Sequence, residues 1–460
     1  MVGGKPPPVV YLRQPSLARA VLPAPNKRPL STSDSPSASK QVKLAPMFAP
    51  PRVDYTDEVL SKTITDRGCY HFVYETPQPS TRVAAFDIDG TVIVTKSGAR
   101  FPKDEHDWKL WSPSEVKDKI RAAHADGFSI VLISNQAGPP GQQKHFRNKL
   151  PLLSRHLKVP LHAFAALDYN IYRKPGTAMW DVFSRDYNGG VQIDYEKSFY
   201  VGDAAGRAGD HADTDRKFAS NCGLPFFTPE EYFKGVPTSN KFTLSGFNVK
   251  LHDHSQPLFT PTSAPLLPRR SSEFDDEPVE VVIFVGSPGA GKTSFYKKHF
   301  HPKGYVHINQ DTLRTRDACV KLLRASLSCN PPKSCVIDNT SPAAATREVY
   351  LSILRSEFPT VKARCFVFTA SRELCMHNSV YRASYEPTDL GNGKARELLP
   401  VIAFDSYAAK FQEPKVKEGF EEIKHISFQF EGTPEQREKW DRWLTQVYKQ
   451  PKAKDQFGRK

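Results

Sequence analysis

The sequence places two carboxylates one residue apart, directly after a hydrophobic run. In "VAAFDIDGTVIV", residues 83–94, Asp87 and Asp89 end a buried-strand pattern, and a Gly-Thr turn follows. Because side chains alternate along a strand, both carboxylates project to the same side, where they repel each other unless a cation lies between them or one stays protonated. Mg²⁺ with a phosphate ligand satisfies both needs. One carboxylate can then attack phosphorus while the other protonates the leaving group.

Three later stretches supply the remaining groups of a phosphate site, and each lies at the end of a predicted strand or in a loop. "ISNQ" provides Ser134 and Asn135 as hydrogen-bond donors for phosphate oxygens, and "YRKPG" provides Lys174 to neutralise the charge on phosphorus. "YVGDAAGR" provides Asp203 as a second metal ligand. Each stretch alone has a structural explanation as a strand end or a turn. All of them in this order indicate a Mg²⁺-dependent phosphatase.

A second phosphate-binding motif occurs in the other half of the chain. "GSPGAGKT" matches GxxxxGK[ST] and lies between the hydrophobic run "VVIFV" and the helical stretch "SFYKKHF". Gly286, Gly289 and Gly291 let successive backbone N–H groups face the phosphates of ATP, and the helix N-terminus adds its dipole. Lys292 is expected to reach the outer phosphates, and the Thr293 hydroxyl to ligate Mg²⁺. The motif predicts a P-loop kinase.

Further polar residues at strand ends are candidates for handling the phosphoryl acceptor. Asp311 in "VHINQDTLR" is placed to take a proton from an attacking hydroxyl. Asp338 and Asn339 in "VIDNT" are placed to contact Mg²⁺ or the acceptor. Arg382 in "HNSVYR" lies on a predicted helix and could close over the transferring phosphate as a lid. Arg314 and Arg316 could hold an acceptor phosphate. For Arg316, an ordinary exposed side chain is the simpler explanation.

Alternating strands and helices position these residues. The predicted strands are "RVAAFDID", "FSIVLISN", "HAFAAL" and "SFYVGDA", then "VEVVIFVG", "YVHIN", "SCVIDN" and "RCFVFTA"; helices such as 113–126 and 175–186 separate them. Continuous apolar strands separated by helices predict α/β folds, namely two doubly wound parallel-sheet domains covered on both faces. Ligands bind such sheets at the carboxyl ends of the strands, which is where most of the candidate residues lie.

Composition shifts divide the chain. Residues 1–50 are rich in Pro, Ser and Ala and carry no acid before Asp34, so we expect a disordered basic tail. The phosphatase domain is predicted at 51–246 and the kinase domain at 278–455, with a linker at 247–277. Basic residues in the tail suggest a nuclear protein; a mitochondrial presequence is the alternative.

The formal charge of +14 favours a polyanionic partner such as nucleic acid, although a basic tail and a solubilising surface are the simpler explanation. No apolar run approaches the roughly 20 residues that span a bilayer, so no membrane partner is expected. The seven cysteines contain no CxxC pair, which favours reduced thiols over disulfides or a zinc site. We expect a monomer.

The first half resembles the haloacid dehalogenase superfamily of phosphatases in "DIDGT", "SNQ", "KP" and "GDAAGR". The resemblance implies that Asp87 is the nucleophile that becomes an aspartyl-phosphate. It also implies that Asp89 is the general acid–base and lends its backbone carbonyl to Mg²⁺. Ser134 and Lys174 would hold the phosphate, and Asp203 would complete the metal site.

The order of the two halves resembles the eukaryotic polynucleotide kinase 3′-phosphatases over about residues 55–445. Distinctive stretches are "RKPGTAMWD", "DRKFASNCGLPFFTPEEYF", "INQDTL", "IDNT" and "FDSYAAKFQEP". The resemblance implies hydrolysis of 3′-phosphate ends and ATP-dependent phosphorylation of 5′-hydroxyl ends, on DNA with RNA as the alternative, before ligation. Lys292 and Thr293 would contact nucleotide and metal, and Asp311 would be the base.

Several positions depart from these families. Arg207 stands where many phosphatases of the superfamily carry a further acid, and Asp210 is the candidate substitute. Gln310 replaces an arginine that is common in the family directly before the catalytic base, here Asp311. Val380 occupies a position of the lid helix that is often basic, so Arg382 is expected to act alone there. About fifty low-complexity residues precede the phosphatase, too few for the forkhead-associated domain of animal members, so the fungal arrangement is expected. The adenine pocket is expected near residues 403–414.

Two other classes of function stay open at this point. Neither active-site motif specifies a polymer, so a bifunctional small-metabolite kinase–phosphatase is possible; activity on a phosphorylated sugar alone would indicate it. A catalytically silent nucleic-acid-binding scaffold would bind ends without turnover. Asp87, Asp89, Lys292 and Asp311 argue against the scaffold because binding alone does not need them.

Overall fold

The computed structural model describes residues 60–65, by their backbone alone, and residues 68–267, 278–386 and 398–444 in full. These residues lie within one compact unit, Tyr55–Lys460. The predicted basic tail and residues 445–455 of the predicted kinase domain fall outside the described residues. Across the part of the chain that is described, no helix has the length and apolar character needed to cross a membrane.

The first half is built on a seven-stranded sheet with the strand order β1-β2-β7-β6-β3-β8-β9. Strands β3, β6, β7, β8 and β9 are mutually parallel, whereas β1 and β2 extend the sheet antiparallel. The strands of this half, including a small pair β4–β5, are β1 (Leu60–Thr65), β2 (Cys69–Tyr74), β3 (Val83–Phe86), β4 (Ile93–Val94), β5 (Lys109–Leu110), β6 (Ser129–Asn135), β7 (Leu161–Ala166), β8 (Phe199–Val201) and β9 (Phe226–Phe227).

Helices cover both faces of this sheet, and its interior strand β3 is therefore apolar at every position. Ala84 and Phe86 of β3 pack into one core cluster, and Val83 and Ala85 pack into another on the opposite face. The first cluster includes residues of α1, α2 and α5, and the second includes residues of α3 and α4. The helices are α1 (Glu115–Ala125), α2 (Pro140–Leu157), α3 (Ala178–Val182), which continues as a π-helix (Phe183–Tyr187), α4 (Thr214–Cys222) and α5 (Pro229–Lys234).

The second half has a six-stranded sheet with the order β10-β15-β14-β11-β13-β12, parallel except for β10. The strands are β10 (Phe259–Thr260), β11 (Glu280–Val285), β12 (Val306–Ile308), β13 (Cys335–Ile337), β14 (Lys362–Phe368) and β15 (Glu422–Ile426). The helices are α6 (Lys292–Phe295), followed by a π-helix (Tyr296–Phe300), α7 (Gln310–Leu313), α8 (Arg316–Ser328), α9 (Ala344–Glu357), α10 (Arg372–Tyr385), α11 (Val401–Lys410) and α12 (Pro434–Trp440). Alternate residues of β11 enter separate clusters on the two faces, as in the first sheet.

The prediction of two doubly wound α/β folds is confirmed, and each predicted strand overlaps an observed one. Part of the predicted linker, however, belongs to the second sheet: β10 pairs with β15, and Val249, in a short 3₁₀ helix (Val249–Leu251), is buried. A two-residue strand shows no alternation that a sequence pattern can reveal. The domain boundaries otherwise stay a prediction.

Candidate active sites

An acidic cluster lies at the carboxyl ends of β3 and β8. Asp87, Asp203 and Asp215 each contribute one carboxylate oxygen, and these oxygens all lie within 4.8 Å of one another. The backbone N–H of Asp87 donates to the Val201 carbonyl at 2.8 Å, which ties the two strand ends together. Asp215 comes from the first turn of α4, and its Oδ2 accepts from the Ala204 N–H at 3.0 Å. Strand order and a helix start therefore build the cluster.

Lys174 is buried within this cluster. Its Nζ lies 2.6 Å from Asp87 Oδ1 and 2.7 Å from Asp215 Oδ1, and it donates to the Ile133 carbonyl at 3.0 Å and the Tyr200 hydroxyl at 2.8 Å. Asn135 fixes the lysine backbone, because its Oδ1 accepts from the Lys174 N–H at 2.9 Å and its Nδ2 donates to the Lys174 carbonyl at 3.2 Å. The ammonium is thereby held against the predicted nucleophile.

The cluster carries more negative than positive charge in a buried place. Burial raises the pKa of Asp87 well above its usual range, although the Lys174 charge counteracts it. Burial and then the Asp215 charge raise the pKa of Asp203 to about 6. Although burial opposes its charged form, the neighbouring Asp215 and Asp87 raise the pKa of Lys174.

This donor set fits Mg²⁺. Carboxylate oxygens are the ligands that a hard divalent cation prefers, and one ammonium leaves three carboxylates under-neutralised. Gly90 leaves room for the Asp203 carboxylate in this cluster, because a Cβ at position 90 would lie 2.3 Å from Asp203 Oδ2. Asp215 was not predicted as a candidate ligand, although it begins the distinctive stretch "DRKFASNCGLPFFTPEEYF".

Asp89 has a different environment from Asp87. Its side chain is 46% exposed and lies outside the acidic cluster. Its Oδ1 accepts from Lys149 Nζ at 2.8 Å, and its Oδ2 accepts from Gln136 Nε2 at 2.5 Å. Gln136 Nε2 also donates to the buried hydroxyl of Ser134 at 2.9 Å. An accessible carboxylate beside the buried one is suited to exchange protons with a leaving group and with water.

Asp210, the candidate substitute acid, does not join the cluster. Its Oδ2 lies 3.0 Å from Nε of Arg207 and accepts from the backbone N–H groups of Ala205 and Arg207. The expectation for Asp210 was therefore wrong, because the arginine that departs from the family pattern captures it. Asp215 supplies the third carboxylate instead.

The glycine-rich loop joins β11 to α6. Gly289 and Gly291 have φ of +79° and +93°, and a Cβ at Gly289 would lie 2.4 Å from the Cys375 carbonyl oxygen, so only glycine fits there. Lys292 Nζ donates to the carbonyls of Gly286 and Ser287, each at 2.8 Å. Burial lowers the pKa of Lys292 to about 8.

Asp338 organises the floor of this site from the end of β13. Its Oδ2 accepts from the Thr293 hydroxyl at 2.7 Å and lies 2.9 Å from Nε2 of His307, and Asn309 Nδ2 donates to its carbonyl at 2.7 Å. Oδ1 is buried and has no hydrogen-bond partner among the described residues. A buried carboxylate oxygen left unpaired is costly, so it fits a Mg²⁺ ion or its water beside Thr293. His307 was missed because a histidine within a strand carries no motif.

The acceptor candidates follow the carboxyl ends of β12, β13 and β14 along the chain. Asp311 is exposed in the first turn of α7, and Asn339 Oδ1 fixes that turn by accepting from the Gln310 N–H at 2.9 Å. Burial dominates the pKa of Lys292, which the Asp311 charge raises and the Arg382 charge lowers by smaller amounts. Arg314 and Arg316 are exposed, so their role as holders of an acceptor phosphate stays a prediction.

A cavity of about 110 Å³ adjoins the loop. Its lining includes Gly289, Arg382, Phe428, Phe430 and Trp440. No residue of 403–414 lines this cavity, and Phe404 of α11 is buried in the core. The expectation that residues near 403–414 help form the adenine pocket stays a prediction.

Comparison with known families matches both halves. Residues 82–233 match the family described as polynucleotide kinase 3 phosphatase, and residues 281–414 match the family described as AAA domain.

Curated relatives extend the match to most of the chain. A protein of Schizosaccharomyces pombe named bifunctional polynucleotide phosphatase/kinase is 35% identical over 83% of this chain and 87% of its own length. A protein of Acanthamoeba polyphaga mimivirus named putative bifunctional polynucleotide phosphatase/kinase is 30% identical over 78% of this chain and 88% of its own. The Arabidopsis thaliana polynucleotide 3′-phosphatase ZDP is 37% identical over 35% of this chain and 25% of its own.

Proposed function

The chain belongs to the bifunctional polynucleotide phosphatase/kinase family, and we propose that its two sites prepare broken DNA strands for ligation. It is a polynucleotide 3′-phosphatase and 5′-hydroxyl kinase. The observation that supports the assignment of the two sites is that each half carries its own phosphate chemistry at the carboxyl edge of its own sheet. Lys174 lies between Asp87 and Asp215 in one, and Lys292 and Asp338 lie at the glycine-rich loop in the other.

At the first site, Asp87 attacks the phosphorus of a 3′-phosphate and forms an aspartyl-phosphate, while Asp89 protonates the departing 3′-oxygen. Asp89 then takes a proton from water, which attacks the same phosphorus, releases inorganic phosphate and restores Asp87. Lys174 compensates the charge on the phosphoryl oxygens, and Ser134 donates to one of them. Asp87, Asp203 and Asp215 would hold Mg²⁺, which supplies further charge compensation.

At the second site, the 5′-hydroxyl attacks the γ-phosphorus of ATP while Asp311 accepts its proton, and ADP leaves. Lys292 exchanges the carbonyls of Gly286 and Ser287 for the outer phosphates. Thr293 and Asp338 would hold Mg²⁺, which would supply compensation for the negative charge of the phosphates. Arg382 closes on the transferring group, and the nucleobase occupies the adjoining cavity.

The polymer and the compartment belong to the proposal. The net charge of +14 favours a phosphate backbone over a small metabolite, and we place the protein in the nucleus on its basic N-terminal residues. DNA is the favoured substrate, and RNA is an outcome that the test below distinguishes.

End-labelled oligonucleotides with a 3′-phosphate or a 5′-hydroxyl, made as DNA and as RNA, test the proposal. We expect Asp87→Ala to abolish 3′-phosphate removal and to spare 5′ phosphorylation, and Lys292→Ala to do the reverse. Asp210→Asn, outside both sites, is the control. A single substitution that removes both activities from folded protein would contradict independent sites.

A further inference from the structure

The C-terminal clasp, residues 434–444, contacts the supports of both active sites. On the kinase side, Trp440 is fully buried, and its Nε1 donates to Asn378 Oδ1 at 2.8 Å. Asn378 Nδ2 in turn donates to the carbonyl of Gly289 in the glycine-rich loop at 3.0 Å. His377 Nε2 lies 2.8 Å from the Trp440 carbonyl. Burial lowers the pKa of His377 to about 4, so the ring is neutral and donates from this nitrogen. The clasp is therefore anchored to the kinase fold.

The other end of the clasp reaches the phosphatase half. Asn221 Oδ1 accepts from the Trp443 N–H at 2.7 Å, and Asn221 Nδ2 donates to the Trp443 carbonyl and to the Pro175 carbonyl, each at 2.8 Å. Arg442 Nη1 donates to the Thr177 hydroxyl at 2.7 Å, and that hydroxyl donates to Asp181 Oδ2 at 2.8 Å. Asn221 lies on α4, the helix that also carries Asp215.

Both attachments fall within the three residues that follow Lys174. Asn135 holds the backbone of Lys174 itself, whereas the Pro175 carbonyl and the Thr177 hydroxyl are held by Asn221 and the clasp. The Lys174 ammonium makes contacts of 2.6–3.0 Å with four oxygens, a geometry that a small backbone shift would disturb. A displacement of about 1 Å in such a site is enough to cost roughly 100-fold in rate.

We propose that Arg442 and Asn221 are positioning residues of the 3′-phosphatase, through which the clasp of the kinase half holds the Lys174–Thr177 turn in its catalytic position. Arg442 suits this part because its guanidinium is only 17% exposed and is braced by Glu438 Oε1 at 3.1 Å. The inference rests on the proposed role of Lys174, and it makes the 3′-phosphatase activity depend on Arg442, which follows the kinase site in the sequence.

The test measures both activities of the full chain as a function of substrate concentration. We expect Arg442→Ala and Thr177→Val each to lower kcat of the 3′-phosphatase about tenfold, with KM and the 5′-kinase changed less than about threefold. Thr177→Ser, which keeps the hydroxyl, should retain activity. The double variant Arg442→Ala/Thr177→Val should be no slower than either single one, since both remove one contact.

Lys439→Ala is the matched control, because it removes one positive charge from an exposed position of the same clasp, on α12. It should leave both activities unchanged. Full phosphatase activity in Arg442→Ala would overturn the inference, as would an equal fall of both activities with loss of folded protein. A wild-type chain without 3′-phosphatase activity would instead overturn the proposed function on which the inference rests.

Discussion

The acidic cluster predicts an unusual dependence of stability on pH and Mg²⁺ through Asp203. Its folded-state pKa is raised from 3.8 to about 6, so the stability it contributes is present below its unfolded pKa and is lost as pH rises through about 6. Its side chain is 23% exposed, and the shift corresponds to at most about 3 kcal/mol of unfolding free energy at 1.36 kcal/mol per unit.

Asp203→Asn removes the charge but keeps the size and one acceptor oxygen. In excess EDTA at about pH 8, we expect the variant to have a higher free energy of unfolding than the wild type, by up to about 3 kcal/mol. At about pH 4 the two should converge, since Asp203 is then largely protonated in the folded state. Saturating Mg²⁺ should reverse the order at about pH 8, because the ion binds the folded wild type more tightly.

Urea unfolding followed by tryptophan fluorescence measures these differences, with Asp210→Asn as the matched control. Hydrogen bonds from Arg207 lower the pKa of Asp210 against the effect of burial, so its contribution is present at neutral pH and lost as pH falls. The control should therefore be less stable than the wild type at about pH 8, with or without Mg²⁺. If Asp203→Asn is also the less stable protein in EDTA, or responds to Mg²⁺ as the wild type does, the reasoning about the cluster fails.

Three further outcomes are expected. Gly289→Ala should lower ATP affinity at least tenfold and leave the phosphatase within about twofold in kinetic assays, because its Cβ would lie 2.4 Å from the Cys375 carbonyl; an unchanged KM for ATP would contradict this. ATP binding at about pH 8 should take up about half a proton, because phosphates raise the lowered pKa of Lys292; calorimetry in buffers of different ionisation enthalpy measures it, and proton release would be the opposite result. DNA affinity should fall at least tenfold between low and physiological salt in anisotropy titrations, given the net charge of +14; a flat response would argue against backbone binding.

Residues that follow parallel strands were the ones that the sequence could place. Asp87, Lys174 and Asp338 belong to motifs with fixed order, and the carboxyl edge of a parallel sheet is where such motifs converge. The glycine-rich loop could also be predicted from the sequence, because its glycines are required by the local backbone conformation of one short stretch.

Residues that contribute to a site from a helix could not be predicted from the sequence in the same way. Asp215 lies in the first turn of α4 and Lys149 lies inside α2, and neither has a spacing that links it to Asp87 or Asp89. Asp210 was a candidate for the metal site because it is close in sequence to Asp203. In the structure its carboxylate instead forms an ion pair with Arg207, three residues earlier in the chain. Only the tertiary structure decides between two nearby carboxylates.

The segment that connects the two halves is partly packed against the second half. Val249 packs against the kinase half, and Phe259–Thr260 adds an edge strand to its sheet. The segments of the connection that the structure describes are thus held by the kinase half. On the proposed function, a break with damage at both ends presents them to two separate centres, and the relative affinities of those centres would set the order of repair.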